Sequence, residues 1–422
     1  MTDATKHSPL RAYGAVTAAY WAFMLSDGAL RMLVLLHFNS LGFTPLQLAW
    51  LFLLYEAAGI VTNLGAGWLA ARFGLAATLY GGLALQIGAL VALAQLDPGW
   101  GIAASVAFVM AVQGVSGVAK DLAKMSSKSA VKLLAPKEDG GFFRWVAALT
   151  GSKNAVKGLG FFLGAALLAV AGFQAAVWGM AGVLAVILIA VALFMPTGLP
   201  GKMKSDEAWG GFRSQDARVN RLSLARLFLF GARDVWFVVG IPVYFQAVLS
   251  DGTAEGRREA FFLIGSFLAL WIIAYGAVQA MAPWILGAKG QPERGTIHKA
   301  MVWAGLLVPI PFVLAAAAWA ASGPAPWLTA TLIGGLLVFG FVFAINSSVH
   351  SYLILAFGSD ARITRDVGFY YMANAAGRLI GTLLSGLSYQ VGGLPLCLAT
   401  AGVMALASWL AARRLGRLNP RV

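Results

Sequence analysis

Thiol chemistry is nearly missing from this chain: its 422 residues hold one cysteine, Cys397. A single cysteine excludes an intramolecular disulfide and a thiolate metal cluster. Histidine is scarce too, and His37, His298 and His350 stand without ligand spacing. No H-E-x-x-H, no phosphate-binding P-loop and no G-x-S-x-G turn occurs. The chain is therefore not expected to be an enzyme, to hold a metal or cofactor, or to run on ATP. Charge is the third shortage. Only 11% of residues are charged against 59% hydrophobic, and the mean hydropathy is +0.77. Such a chain cannot be a water-soluble domain.

What is present instead is a succession of apolar runs, each about 20 residues long and so matched to a bilayer. About twelve can be drawn: 14–38, 46–70, 76–96, 100–119, 143–171, 174–195, 222–249, 260–286, 297–320, 327–350, 366–390 and 394–412. The fold class is an all-α membrane protein. The net charge of +14 could suggest nucleic acid, but its placement argues against that. If the N-terminus lies inside, the inside segments hold 23 of the 31 Lys and Arg, and the outside loops hold only Arg257 and Arg258. This positive-inside bias predicts cytoplasmic termini and a multi-pass protein whose partner is lipid, not nucleic acid. The first run is too long and too charged for a cleaved signal peptide.

The connection 196–221 is rich in glycine and charge and separates six runs from six. It reads as a linker between an N-terminal half, 1–195, and a C-terminal half, 222–422. A constant offset aligns Phe23, Asp27 and Phe38 with Phe230, Asp234 and Phe245, so the halves are expected to be related by duplication. Gly160/Gly164 and Gly377/Gly381 are small-xxx-small pairs suited to close helix contact. Two six-helix halves match the major facilitator architecture, with its substrate site near the midplane. The stretch Gly67–Gly74 resembles that family's G-x-x-x-D-R-x-G signature, read here as the loop after the second run. Gly67, Arg72 and Gly74 fit it, while Ala71 stands in the acidic slot.

Eight ionisable residues are expected near mid-depth: Asp27, Arg31, Glu56, Lys153, Lys157, Arg233, Asp234 and Arg378. Charge at that depth is expensive and normally serves a pathway or a partner. Five cations against three anions give a layer of +2, suited to a multiply charged anion that guanidinium forks can grip. Arg31, Lys153, Lys157, Arg233 and Arg378 are the candidate substrate ligands. Asp27, Glu56 and Asp234 are counter-ions or proton carriers. The alternative for each cation is a structural ion pair. Lys120, Lys124, Lys128 and Lys132 recur every fourth residue. They form either a solvated positive face or a funnel for anions arriving from the cytoplasm. Arg226 reads as an interfacial snorkeller. His350, near Asn346, reads as a satisfied helix–helix hydrogen bond or as a cavity-lining residue.

Five stretches carry a more specific likeness: YWAFMLSDGALRMLVLLHF (20–38), YEAAGIVTNLGAGWLAARFG (55–74), GVAKDLAKMSSKSAVKLL (117–134), LTGSKNAVKGLGFFLG (149–164) and RLFLFGARDVWFVVGIPV (226–243). In these the chain resembles the ArsJ-type organoarsenical efflux permeases of the major facilitator superfamily. The resemblance implies export of 1-arseno-3-phosphoglycerate across a bacterial inner membrane by a monomeric carrier. Glyceraldehyde-3-phosphate dehydrogenase would supply that ester, and its breakdown outside would confer arsenate resistance. Glycerol-3-phosphate exchangers resemble the layout as well, which would make Arg31 and Arg233 the phosphate-gripping pair. A carrier of another phosphorylated metabolite would show the same cationic layer; a non-transporting membrane receptor is a further alternative, against which stand the charges expected within both halves.

Overall fold

A computed structural model describes residues 4–134, 141–195, 214–286, 293–357 and 363–418. Among them there are helices and no strand, as lipid demands of a spanning chain that must satisfy its own backbone groups. The helices are α1 (Ala4–Ser40), α2 (Pro45–Trp50), α3 (Leu53–Leu64), α4 (Ala66–Leu93), α5 (Ile102–Leu134), α6 (Gly141–Phe194) and α7 (Ala217–Val235). After a π-helical turn at Trp236–Gly240 come α8 (Ile241–Leu249), α9 (Ala254–Ile285), α10 (Glu293–Leu307), α11 (Pro309–Ala321), α12 (Pro326–Phe357) and α13 (Ile363–Arg417).

Ten described stretches are long and apolar enough to cross a membrane, and two of them, in α6 and α13, run to 43 and 52 residues. At 1.5 Å per residue each is about twice the length one crossing needs. Both break where the sequence expects a boundary. In α6 Gly172 takes φ 78°, a left-handed conformation that glycine adopts without a Cβ clash. In α13 the break falls at Gly392 and Gly393.

Local chemistry starts several helices. At α2, Thr44 and Gln47 form a reciprocal capping box, Gln47 N donating to Thr44 Oγ1 and Thr44 N to Gln47 Oε1, with Pro45 in the first turn. Asp216 caps α7 and Thr253 caps α9.

The chain forms two compact units that cut across the sequence halves. The first draws on Met1–His37, Gly65–Trp209 and Phe261–Ile273. Within it α1 lies on α6 through glycines. A Cβ on Gly28 would come 2.6 Å from Lys157 O, while those on Gly160 and Gly164 would strike Leu25 O and Ala29 O. Gly158 admits α9, whose Ala269 O would sit 2.8 Å from an added Cβ.

The second unit draws on Phe38–Leu64, Gly210–Ala260 and Ala274–Val422. Gly377 and Gly381 press α13 on α7, at Leu227 O and Gly231 O, and Gly386 presses it on α2 at Pro45 O. Asn39 Nδ2 donates to Gln246 Oε1 at 2.6 Å across 207 residues. That separation is the offset that aligns Phe23 with Phe230, so two repeat-equivalent side chains meet.

Three sequence expectations change. The second span ends at Leu64 rather than near 70, because Gly65 leaves helical geometry before α4 begins. Gly67–Gly74 is consequently not a loop but the first two turns of α4, closed by Gly74 at φ 75°. The fourth span does not stop at 119 either, since α5 continues as helix to Leu134. Most of the linker, 196–213, lies outside the described residues.

Candidate functional site

In the first unit the charges gather where α1, α5 and α6 carry them. Asp27 is 2% exposed and accepts from Lys157 Nζ at 2.9 Å. The glycine contact between Gly28 and Lys157 O sets that meeting, since it brings the two backbones together beside the pair. Arg31 is buried one turn beyond Asp27, on the same face of α1. Lys153 is half-buried one turn before Lys157. These four residues carry a formal surplus of two positive charges.

Sequence reasoning missed Asp121. It lies just past the apolar run 100–119, yet it is buried in α5 and forms a 3.2 Å ion pair with Lys124. Tyr20 lies within electrostatic reach of both Asp27 and Asp121, which ties α5 to the α1 cluster. Lys120 is buried as well. The lysine stripe is thus not a wholly solvated face, because its first members share α5 with a buried carboxylate. The side chains of Lys128 and Lys132 lie outside the described residues.

The second unit holds a different arrangement. Asp234, 1% exposed, accepts from Arg233 Nε at 2.6 Å and from Arg378 Nε at 3.3 Å. Arg378 Nη2 donates at 2.6 Å to Glu56, itself 1% exposed. Two cations and two anions therefore close into one network with no formal charge. It links α3, α7 and α13, with Gly381 passing 2.9 Å from the Asp234 Cβ had it one of its own.

Directly after Asp234, α7 gives way to the π-helical turn. Ser385 Oγ accepts from Val239 N and Gly240 N, each at 3.1 Å, and Cys397 Sγ donates to Val235 O at 3.1 Å. The wide turn frees backbone groups, and α13 supplies their partners. Such bulges recur at functional places in helices.

Two readings are overturned by burial. Arg226 is no interfacial snorkeller: it is 5% exposed and points into protein. It donates to Asn374 Oδ1 at 3.0 Å and to Ser347 O and Oγ at 3.0 and 2.9 Å. His350 forms no satisfied helix–helix hydrogen bond, since neither ring nitrogen has a partner among the described residues. No group of His, Cys, Asp and Glu among the described residues is arranged to hold a metal ion.

Chemically, the first set offers a cationic surplus in which a polyanion could replace water. The second offers ties that can hold or release helices. Residues 16–359 match the family model described as Major Facilitator Superfamily. No curated protein sequence matches the chain. Among solved structures, it is similar to a mutant of the nucleoside transporter NupG at 15% identity and TM-score 0.67, over 96% of this chain and 98% of that one. It is also similar to a POT family transporter in complex with 5-aminolevulinic acid, at 16% identity and TM-score 0.68, over 97% of each chain. At these identities the likeness speaks for the fold.

Proposed function

Since the chain belongs to the Major Facilitator Superfamily and is a secondary transporter of that kind, we propose that its cargo is a multiply charged anion and, more narrowly, 1-arseno-3-phosphoglycerate. The observation that carries the anionic reading is the formal imbalance within the first unit, where Arg31, Lys153 and Lys157, with Lys120 and Lys124 on α5, outnumber Asp27 and Asp121. Partly buried cations attract an anion more strongly than the same cations in water, because low local dielectric lengthens their reach. Lys157 is held by Asp27 in the absence of cargo. An arriving phosphate competes for that ammonium, and guanidinium and ammonium donors then share the oxyanion.

The narrower cargo rests on the sequence resemblance. A compound with one phosphate and one arsenate ester suits a cationic site, whereas trivalent arsenic seeks several soft thiolates and this chain has Cys397 alone. On this reading, 1–195 and 222–422 are two halves rocking about the cargo, 196–221 joins them, and both termini face the cytoplasm of a bacterial inner membrane. A dehydrogenase acting on glyceraldehyde 3-phosphate supplies the ester, and the carrier works as a monomer. Arg233 and Arg378, the other two candidate ligands, are already engaged by carboxylates in the second unit.

Everted vesicles test the proposal. They are given arsenate, glyceraldehyde 3-phosphate, NAD and the dehydrogenase, and arsenic accumulation is followed. Accumulation that requires all four supports the ester as cargo. Uptake from arsenate alone points to a plain oxyanion carrier. Absence of arsenic uptake, with 3-phosphoglycerate or glycerol 3-phosphate taken up instead, assigns another phosphorylated metabolite.

A further inference from the structure

The second unit contains a buried cation that its neutral charge network does not use. Arg226 on α7 has no carboxylate within ion-pairing distance among the described residues. Its hydrogen bonds go to neutral acceptors, Asn374 Oδ1 and Ser347 O and Oγ. Those bonds occupy Nε and Nη1, while Nη2 donates to no described residue. Burying a charge without a counter-charge is costly, and proteins seldom leave it so.

The surroundings share the same deficit. Ser347 and His350, three residues apart, share one face of α12, and Asn346, four residues before His350, flanks it. Ser347 shows that this face meets Arg226, and His350 lies within reach of its charge. Yet both side-chain atoms of Asn346 and both ring nitrogens of His350 are buried without a partner. Gln279 on α9 joins from a third side, donating to Ser347 Oγ at 3.1 Å. Phe230 closes the set toward the other network, its ring 4.0 Å from the Arg226 guanidinium and 4.9 Å from that of Arg233.

The Arg226 guanidinium, the Asn346 Nδ2 donor and the N–H of the His350 ring, within one four-helix cluster, have no negatively charged acceptor among the described residues. We propose that Arg226, Asn346 and His350 form a binding site for a small inorganic anion of chloride size, separate from the cargo site. The burial of all three residues sets the size, since an organic anion would need an open cleft. Water could satisfy Asn346 and His350, but it would leave the charge of Arg226 uncompensated. The site does not depend on which anion the protein carries.

Chloride line width in 35Cl NMR reads the site directly, because chloride exchanging with a protein site broadens the bulk signal. The purified protein in detergent is compared with empty micelles, chloride being exchanged for gluconate at fixed ionic strength. Saturable excess broadening is expected, strongly reduced by Arg226→Gln, reduced several-fold by Asn346→Leu and unchanged by Arg258→Gln at an exposed arginine. As a check that needs no variant, chloride is expected to raise the thermal midpoint of the wild-type protein saturably while gluconate does not. Broadening undiminished in Arg226→Gln, or a wild-type protein indifferent to chloride in both measurements, would overturn the proposal and leave water as the occupant.

Discussion

The pair between Glu56 and Arg378 carries a prediction whose size can be worked from geometry. Nitrogen and oxygen are 2.6 Å apart, and Arg378, 19% exposed at its side chain, also leans on Asp234 at 3.3 Å. Two unit charges about 4 Å apart attract by about 4 kcal/mol at an effective dielectric of about 20, and desolvation consumes much of that. Truncating one partner is a different quantity, because it strands a charge in the interior at about 3–5 kcal/mol. The second carboxylate and the residual exposure of Arg378 place Glu56→Gln near the lower end, at about 3 kcal/mol. Arg378→Gln should cost a similar amount. The double variant should cost about 2 kcal/mol less than the sum of the two, since it removes both charges at once.

The assay is a double-mutant cycle on unfolding in mixed micelles, in which a denaturing detergent is titrated into a mild one. Transport gives a second reading of the same pair. Under the proposed rocking of 1–195 against 222–422, Glu56 and Arg378 belong to opposite halves, and that motion has to release or carry the contact. A loss of about 3 kcal/mol shifts the balance against the tied state on the order of 100-fold. A single-variant loss below about 1 kcal/mol, as at exposed pairs, or single effects that add within about 0.5 kcal/mol, would refute the reasoning.

Other consequences are briefer. Cysteines at Asn39 and Gln246, whose native side-chain tips meet, should be bridged by a short, reducible bifunctional thiol reagent, with native Cys397 buried and silent. The bridged protein should lose transport and regain it on reduction; a bridge that leaves transport intact would remove this contact from the cycle. Gly164→Leu should abolish folded protein on size exclusion, because its side chain would have to enter Ala29 O, whereas Gly179→Leu, with open space around it, should be tolerated. Asp216→Ala should cost about 1 kcal/mol as a lost helix cap. Burial pushes the Asp216 carboxyl up, but hydrogen bonds and charge from Arg218 outweigh this and hold it below the usual carboxylate range. Its contribution is therefore complete above the ordinary carboxylate pKa and fades as pH falls through the depressed one. Thermal midpoints of wild type and Asp216→Ala should converge in acid, and parallel curves would count against the cap.

Much of the architecture was legible because lipid leaves a chain few choices. Length and hydropathy fixed where helices could lie, and glycines at 172 and 392–393 marked where two long ones had to turn. Equal spacing of Asp27 and Asp234 from their flanking phenylalanines exposed the repeat, and both carboxylates are buried. Gly160, Gly164, Gly377 and Gly381 were readable as contact points since small residues in membrane helices have few other uses. Span ends were less visible. Lys120 and Asp121 look like a loop to a hydropathy count, yet α5 buries them by packing, which composition does not record.

Pairing was the part that sequence could not reach, and the reason is arithmetic as much as geometry. Counting eight mid-depth charges gave a surplus of two without saying where the surplus lay. The structure shows the pairing: Glu56 and Asp234 meet Arg233 and Arg378 in the second unit, and Asp27 meets Lys157 in the first. Contacts such as Glu56 with Arg378, 322 residues apart, decide that pairing, and no local pattern foretells them. Arg226 makes the same point from the other side. Its place a few residues into the seventh span suggested a side chain reaching for water. Instead, neutral residues from α12 and α13 hold its stem and two nitrogens, and aromatic rings cover its faces. A cation so enclosed has no carboxylate beside it among the described residues, and hydropathy alone gives no sign of that need for a counter-charge.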